Sequence, residues 1–210
     1  MAIENGIFSE EELPSAYAYL RELLFAKDDK FKVGVLGAKD LFGALTAGGM
    51  QDIAYKAVVG PEFPSYGYWI EHGATTLWED FQEITGSGGY VKRKDKRPMN
   101  SLNHHFWGSV IAWFYKDIAG LNIVSHHEAQ ISPKIIAELK WAEAQYANGP
   151  QKIKVRWDRE TNGDILLKIK NNFFTGFIKV YGYHCCGMER VNLRLGEYNL
   201  IFKKIDSVHG

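Results

Sequence analysis

The sequence predicts an α+β multidomain chain, helical in its first part and antiparallel β in its second, and three observations carry that expectation. Apolar residues recur at three- and four-residue steps up to about residue 120, then at every second residue beyond about 125. Between two of the alternating runs stands Asn162-Gly163, a hairpin-turn pair. Helices first and strands after imply two packed domains, with the division expected at 1–124 and 125–210.

Taken in order, Ser9 and Glu12 have capping-box spacing, and Leu13, Tyr17, Leu20 and Leu24 then follow a helical period, so a helix is expected over about 10–27. A small-residue apolar segment from Ala38 to Ala47, the stop at Gly48-Gly49 and the run Asp52 to Val59 before Gly60-Pro61 predict a helical hairpin. From Gly60 to Asn100 the helical pattern disappears, with Pro61, Pro64, a glycine tract at 86–89 and the basic run V-K-R-K-D-K-R-P. So long an irregular connection is more often functional than accidental. A further helix opens near Ser101, with Trp107, Val110, Ile111, Phe114 and Ile118 expected on its buried side, and closes at Gly120. Beyond it, Ile153, Val155 and Trp157 alternate with cations, Ile165, Leu167 and Ile169 repeat the pattern, and Ile178 and Val180 do so again.

Charge narrows the function. Among 210 residues, 25 basic and 25 acidic side chains cancel, so nothing recruits nucleic acid or a membrane surface, and a small or neutral ligand is expected. Aromatic residues at 14% either fill the core or cover the apolar faces of sugars. The only cysteines, Cys185 and Cys186, are neighbours and cannot staple distant segments. The N-terminus has no signal-peptide pattern and no apolar run is long enough to span a bilayer, which leaves a cytoplasmic or a periplasmic location open.

Two constellations could carry chemistry. In G-A-T-T-L-W-E-D-F, Glu79 and Asp80 follow Trp78, and a carboxylate beside an indole loses solvation and becomes a better proton acceptor. The plain alternative is a helix-opening Glu79 and a solvated Asp80. In S-L-N-H-H-F-W-G, Ser101 or Asn103 is placed to cap the following helix, with His104 pointing out of its first turn, or the histidine pair is simply structural. His104, His105, His126 and His127 match no familiar metal-ligand spacing, so no metal and no cofactor is expected. The basic run Lys92 to Arg97 reads as a solvated loop, and neither a phosphate-binding glycine motif nor G-x-S-x-G is present.

The stretches P-S-Y-G-Y-W-I-E-H-G-A-T-T-L-W-E-D-F and S-L-N-H-H-F-W-G-S-V-I-A-W-F-Y-K-D-I-A-G-L resemble the C-terminal part of the bacterial α-L-rhamnosidases of glycoside hydrolase family 78. Upstream V-G-V-L-G-A-K-D-L-F and D-I-A-Y-K, and downstream L-K-W-A-E-A-Q-Y and I-K-V-R-W, extend the resemblance over about 30–160, with the last stretch of chain matching more loosely. It implies a partial (α/α)6 toroid of the six-hairpin glycosidase type followed by an antiparallel β-sandwich, acting on terminal α-L-rhamnose with inversion. By the same resemblance Glu79 falls on the general base that activates water, His104 on a sugar contact, and Trp78 and Trp69 on aromatic positions near the pocket. An inverting pair of carboxyls stands about 6.5 to 9.5 Å apart with a water between. In the family the general acid lies in the earlier half of the toroid, and no match for its motif occurs here; Glu10, Glu11, Glu12 and Glu22 sit on an amphipathic helix. The expectation is therefore the C-terminal portion of a longer enzyme, inactive by itself, binding a rhamnose-containing saccharide. Its uncovered apolar faces would self-associate or pair with the missing N-terminal half. The competing reading is a non-catalytic carbohydrate-binding or interaction module derived from that fold.

Overall fold

The computed structural model describes residues 1–25, 33–79 and 101–205. Asp80, the glycine tract 86–89 and the basic run 92–97 lie outside the described residues. The chain divides into two compact units, Met1–Ile111 and Ala112–Gly210.

The first unit begins with α1, Leu13–Phe25. Its capping box forms as the spacing predicts. The Ser9 N–H donates to Glu12 Oε2 at 2.8 Å, and the Glu12 N–H donates back to Ser9 Oγ at 3.3 Å, satisfying two donors that the helix itself cannot. The expected stripe of Leu13, Tyr17, Leu20 and Leu24 is the side turned away from solvent. The helical hairpin also forms, as α2, Val35–Ala47, and α3, Gln51–Val59. Ala38, Leu41, Phe42 and Leu45 are buried along α2 at the steps a helix face requires. Gly48 and Gly49 donate to Ala44 O and Thr46 O, both at 3.1 Å, and so close the helix at the predicted stop.

One element was not legible in the pattern. Inside the stretch expected to be irregular lies α4, Tyr66–Glu71. At six residues it is too short for a period to show, since its buried residues Tyr66, Tyr68 and Trp69 include a single helical step, from Tyr66 to Trp69. The run from His105 is helical as expected, but its winding changes: a 3₁₀ turn His105–Ser109, then α5, Val110–Trp113, then a π turn Phe114–Ile118. The buried residues are Trp107, Val110, Trp113 and Ile118, while Ile111, expected on that side, is 53% exposed. Spacings of three, three and five are what 3₁₀ winding followed by a π turn produces, and a constant 3.6 period misplaces Ile111 and Trp113.

The described residues of the second unit form nine strands: β1, Leu121–Ile123; β2, Glu128–Ile131; β3, Trp141–Asn148; β4, Gln151–Arg159; β5, Ile165–Asn171; β6, Thr175–Ile178; β7, Tyr183–His184; β8, Val191–Leu193; and β9, Gly196–Lys204. They form a four-stranded sheet in the order β1-β2-β6-β8 and a five-stranded sheet in the order β3-β4-β5-β9-β7. All ladders are antiparallel except β2 with β6. Alternation turns Ile153, Val155 and Trp157 of β4 and Ile165, Leu167 and Ile169 of β5 inward, against Ala129 and Ile131 of β2, Ile178 of β6 and Leu193 of β8. That single core between two sheets is the β-sandwich expected from the sequence. Asn162-Gly163 sits in the β4–β5 turn, where the Asn162 side-chain oxygen accepts from the Asp164 N–H at 3.0 Å.

The compact units divide at 111/112, ahead of the boundary expected at 124/125. Segment 117–120 is tied to the strands: Ser132 N–H donates to Gly120 O and Lys134 N–H to Asp117 O, both at 2.8 Å, and Trp157 Nε1 donates to Ile118 O at 2.8 Å. Among the described residues no helix is long and apolar enough to cross a membrane.

Candidate functional site

The motif around Glu79 is positioned from both sides by local hydrogen bonding. Upstream, Ser65 caps α4, its Oγ accepting from the Tyr68 N–H at 2.8 Å while donating to Gly60 O. A Cβ on Gly67 would lie 2.3 Å from Val59 O and 2.4 Å from Gly60 O, so α4 crosses the end of α3 at a distance only glycine allows. Downstream, the helix ends in a Schellman motif: Gly73 N–H donates to Ile70 O at 3.0 Å and Ala74 N–H to Trp69 O at 2.9 Å. Gly73 takes φ +80, which is why G-A-T-T opens on a glycine.

From there the chain is hydrogen-bonded to the S-L-N-H segment. His104 N–H donates to Leu77 O at 2.7 Å and Glu79 N–H donates to Ser101 O at 2.8 Å, while Thr76 Oγ1 donates to Leu102 O. The Ser101 N–H returns a bond to Glu79 Oε2 at 2.8 Å, and Trp107 Nε1 donates to Glu79 O at 2.7 Å. Glu79 is therefore fixed at three points, half-buried, and its Oε1 accepts from none of the described residues. A carboxylate held through one oxygen with the other left for a water is an arrangement that can take a proton.

Beneath this ladder is an aromatic cluster. Trp69 meets Trp78 at 6.1 Å between ring centroids, Trp107 edge-on at 6.0 Å and Tyr66 edge-on at 5.5 Å. Tyr66 Oη donates to Trp107 O at 2.8 Å, and burial pushes its phenol well above the usual range. Trp69 is 2% exposed and Trp78 4%. Trp69, with Tyr66, Ile70, Ala74, Thr75, Thr76 and Leu77, lines a shallow, mainly apolar cleft of about 260 Å³. Trp78 is not among its walls.

Of the four residues singled out in the sequence, Glu79 and His104 lie on facing segments of one ladder, and Trp69 and Trp78 pack together behind it. His104 precedes the 3₁₀ turn rather than standing in it, and neither Ser101 nor Asn103 caps that turn. Ser101 instead turns back on Asn103, whose N–H donates to Ser101 Oγ at 3.1 Å. The His104 ring lies 4.8 Å from Phe106, edge-on. Ser101, Trp107 and Tyr66 are the positioning residues that sequence reasoning missed. Ser65 directly after Pro64 and before an aromatic run was a capping signal that could have pointed to Tyr66. Among the described residues no group of three or more His, Cys, Asp or Glu could hold a metal ion.

The model of the bacterial α-L-rhamnosidase six-hairpin glycosidase domain matches residues 1–118. An α-L-rhamnosidase of Streptomyces avermitilis is 35% identical over 146 residues, which is 69% of this chain and 14% of that protein. One from an Alteromonas species is 29% identical over 181 residues, 85% of this chain and 19% of that protein. Among solved structures, the Streptomyces avermitilis α-L-rhamnosidase complexed with L-rhamnose aligns with a TM-score of 0.77 at 26% identity, covering 97% of this chain and 20% of that one. The α-L-rhamnosidase from Dictyoglumus thermophilum has the same fold over 97% of this chain and 25% of its own length, with a TM-score of 0.78 at 24% identity. The chain thus spans less than a fifth of those two full-length relatives. A domain-model match over more than half its residues, falling on the unit that holds Glu79 and the S-L-N-H ladder, places this chain in the bacterial α-L-rhamnosidase six-hairpin glycosidase family.

Proposed function

We propose that the first unit carries the base side of an inverting α-L-rhamnoside hydrolase, with Glu79 as the general base and the general acid supplied by residues outside these 210. The supporting observation is the hold on Glu79: Ser101 N–H engages Oε2 at 2.8 Å and the main chain is fixed on both sides, so that Oε1 is the oxygen for the attacking water. In this reading His104, on the facing segment, contacts the sugar. Trp69 forms the apolar wall of the neighbouring cleft, and Trp78 supports it from behind. Ile70, 71% exposed at the cleft rim, is the kind of surface that further toroid helices would cover. The substrate is a terminal α-L-rhamnosyl group, as in the relatives named above.

The test is a chimera in which residues 1–118 replace the matching segment of the Streptomyces avermitilis relative. It is expected to hydrolyse an aryl α-L-rhamnoside, with the β-anomer of rhamnose as the first product seen by NMR. Glu79→Gln lowers its kcat about 10²- to 10⁴-fold, and His104→Ala acts mainly on KM. An active chimera indifferent to Glu79→Gln would remove the base assignment. Turnover by the 210-residue chain alone, lost in Glu79→Gln, would instead remove the external acid and keep the base.

A further inference from the structure

The turn between β7 and β8 takes no part in the glycosidase reading, yet it brings together His184, the buried Cys185 and the exposed Cys186, Gly187 and Met188. Cys185 and Met188 exchange both main-chain hydrogen bonds at 2.9 Å, which makes Cys186-Gly187 a two-residue hairpin turn. Cys186 has φ +51 and Gly187 φ +79, the doubly left-handed form in which asparagine or aspartate followed by glycine is favoured. Among the described residues Cys186 is the single non-glycine with positive φ. Its side chain is exposed, so packing does not account for a cysteine there, whereas Cys185 beside it is buried at 6% exposure. Both thiols are free. The Gly187 N–H donates to His184 Nδ1 at 3.2 Å, which holds the turn in place.

A strained, exposed cysteine next to a buried one asks what the pair would bind. A disulfide fits poorly, because Cα atoms of neighbouring residues stand about 3.8 Å apart and disulfides ordinarily need at least about 4.4 Å. Burial, and after it the Cys186 side chain, push the Cys185 thiol up, so Cys185 is not a ready nucleophile for peroxide. A larger soft atom placed between the two sulfurs lengthens the bridge and removes the geometric misfit.

We propose that Cys185 and Cys186 form a vicinal dithiol site that chelates a trivalent organoarsenical-type ligand through both sulfurs at the tip of this hairpin. With an arsenoxide, two S–H bonds and the arsenic–oxygen bond break and two arsenic–sulfur bonds form. The oxygen leaves with both protons as water, and arsenic stays trivalent, so no oxidant or reductant is consumed.

The experiment treats the reduced 210-residue chain with phenylarsine oxide and reads the intact mass. One adduct per chain is expected, retained in excess 2-mercaptoethanol and removed by dithiothreitol. Cys186→Asn, which suits the left-handed turn and leaves the fold unchanged by circular dichroism, is expected to lose the retained adduct, as is Cys185→Ser. Either variant keeping it, or the unmodified chain losing it to 2-mercaptoethanol, would overturn the proposal.

Discussion

The two compact units solve the same problem, burying a core, in opposite ways. In the second unit the inward rows of two sheets face each other, and Ile131, Ile153, Val155, Trp157, Ile165, Leu167 and Phe202 all reach 0% exposure. In the first, a handful of rings from separate stretches, Phe42, Tyr66, Trp69, Trp78 and Trp107, meet edge-on or tilted, and Trp107 ties them to Glu79 O. Large apolar side chains such as Ile70 and Phe106 stay more than half exposed beside them. A closed core stabilises the fold redundantly. An aromatic cluster drawn from distant segments positions a site, but leaves it dependent on a few contacts.

The largest expected effect tests the closed core. Trp157→Ala removes a fully buried indole and its 2.8 Å bond to Ile118 O, and should cost about 3–5 kcal/mol in urea denaturation. A loss under about 1 kcal/mol would mean that the sandwich repacks around the gap and is not the rigid partner in the comparison. Next comes Gly67→Ala, whose new methyl would meet two carbonyl oxygens of the α3 end. Backbone cannot yield as a flexible side chain does, so about 1–3 kcal/mol is expected, together with loss of turnover in the chimera as α4 is displaced. Tyr66→Phe keeps the rings in place and deletes only the donor to Trp107 O. It should cost about 0.5–1.5 kcal/mol in the same denaturation measurement. A cost equal to that of a ring deletion would show that the hydrogen bond, rather than edge-on packing, organises the cluster.

The same contrast explains what could be read from the sequence. Strands β4 and β5 were legible because a two-residue period is unambiguous over seven or more positions, and α1 to α3 because caps, glycine stops and apolar steps agree. Helix α4 escaped because its order comes from Ser65, Gly67 and Gly73 acting as cap, crossing point and terminus, not from periodicity. The ladder between 77–79 and 101–104 is a pairing across more than twenty residues, which no local pattern announces. Glu79 and His104 were candidates from their neighbours in the sequence, and their roles came only through resemblance to a family motif. What that resemblance could not supply was the support: Ser101 on the carboxylate, Trp107 on the carbonyl and Tyr66 on Trp107.

The smallest predicted effect concerns the solvent face of the sandwich, where charge rather than burial decides. Asp158 accepts from Arg156 Nε at 3.0 Å and Arg156 Nη2 at 2.5 Å, and from Lys168 Nζ at 3.3 Å. The Arg156 bonds first, then those from Lys168, hold its carboxyl below the usual aspartate range. A folded-state pKa below the unfolded one favours the ionised form in the fold. Its stabilisation is fully present above the unfolded value of about 3.9 and fades as pH falls through the folded one. Because the cluster is partly exposed and screened, Asp158→Asn should cost no more than about 1 kcal/mol at neutral pH. Denaturation midpoints of the two proteins should differ most near about pH 7 and converge toward about pH 2. A difference that stays constant across that range would show that Asp158 acts by shape and hydrogen bonding alone. The outer face of the sandwich would then be as indifferent to charge as its core, and the contrast between the units would rest on packing entirely.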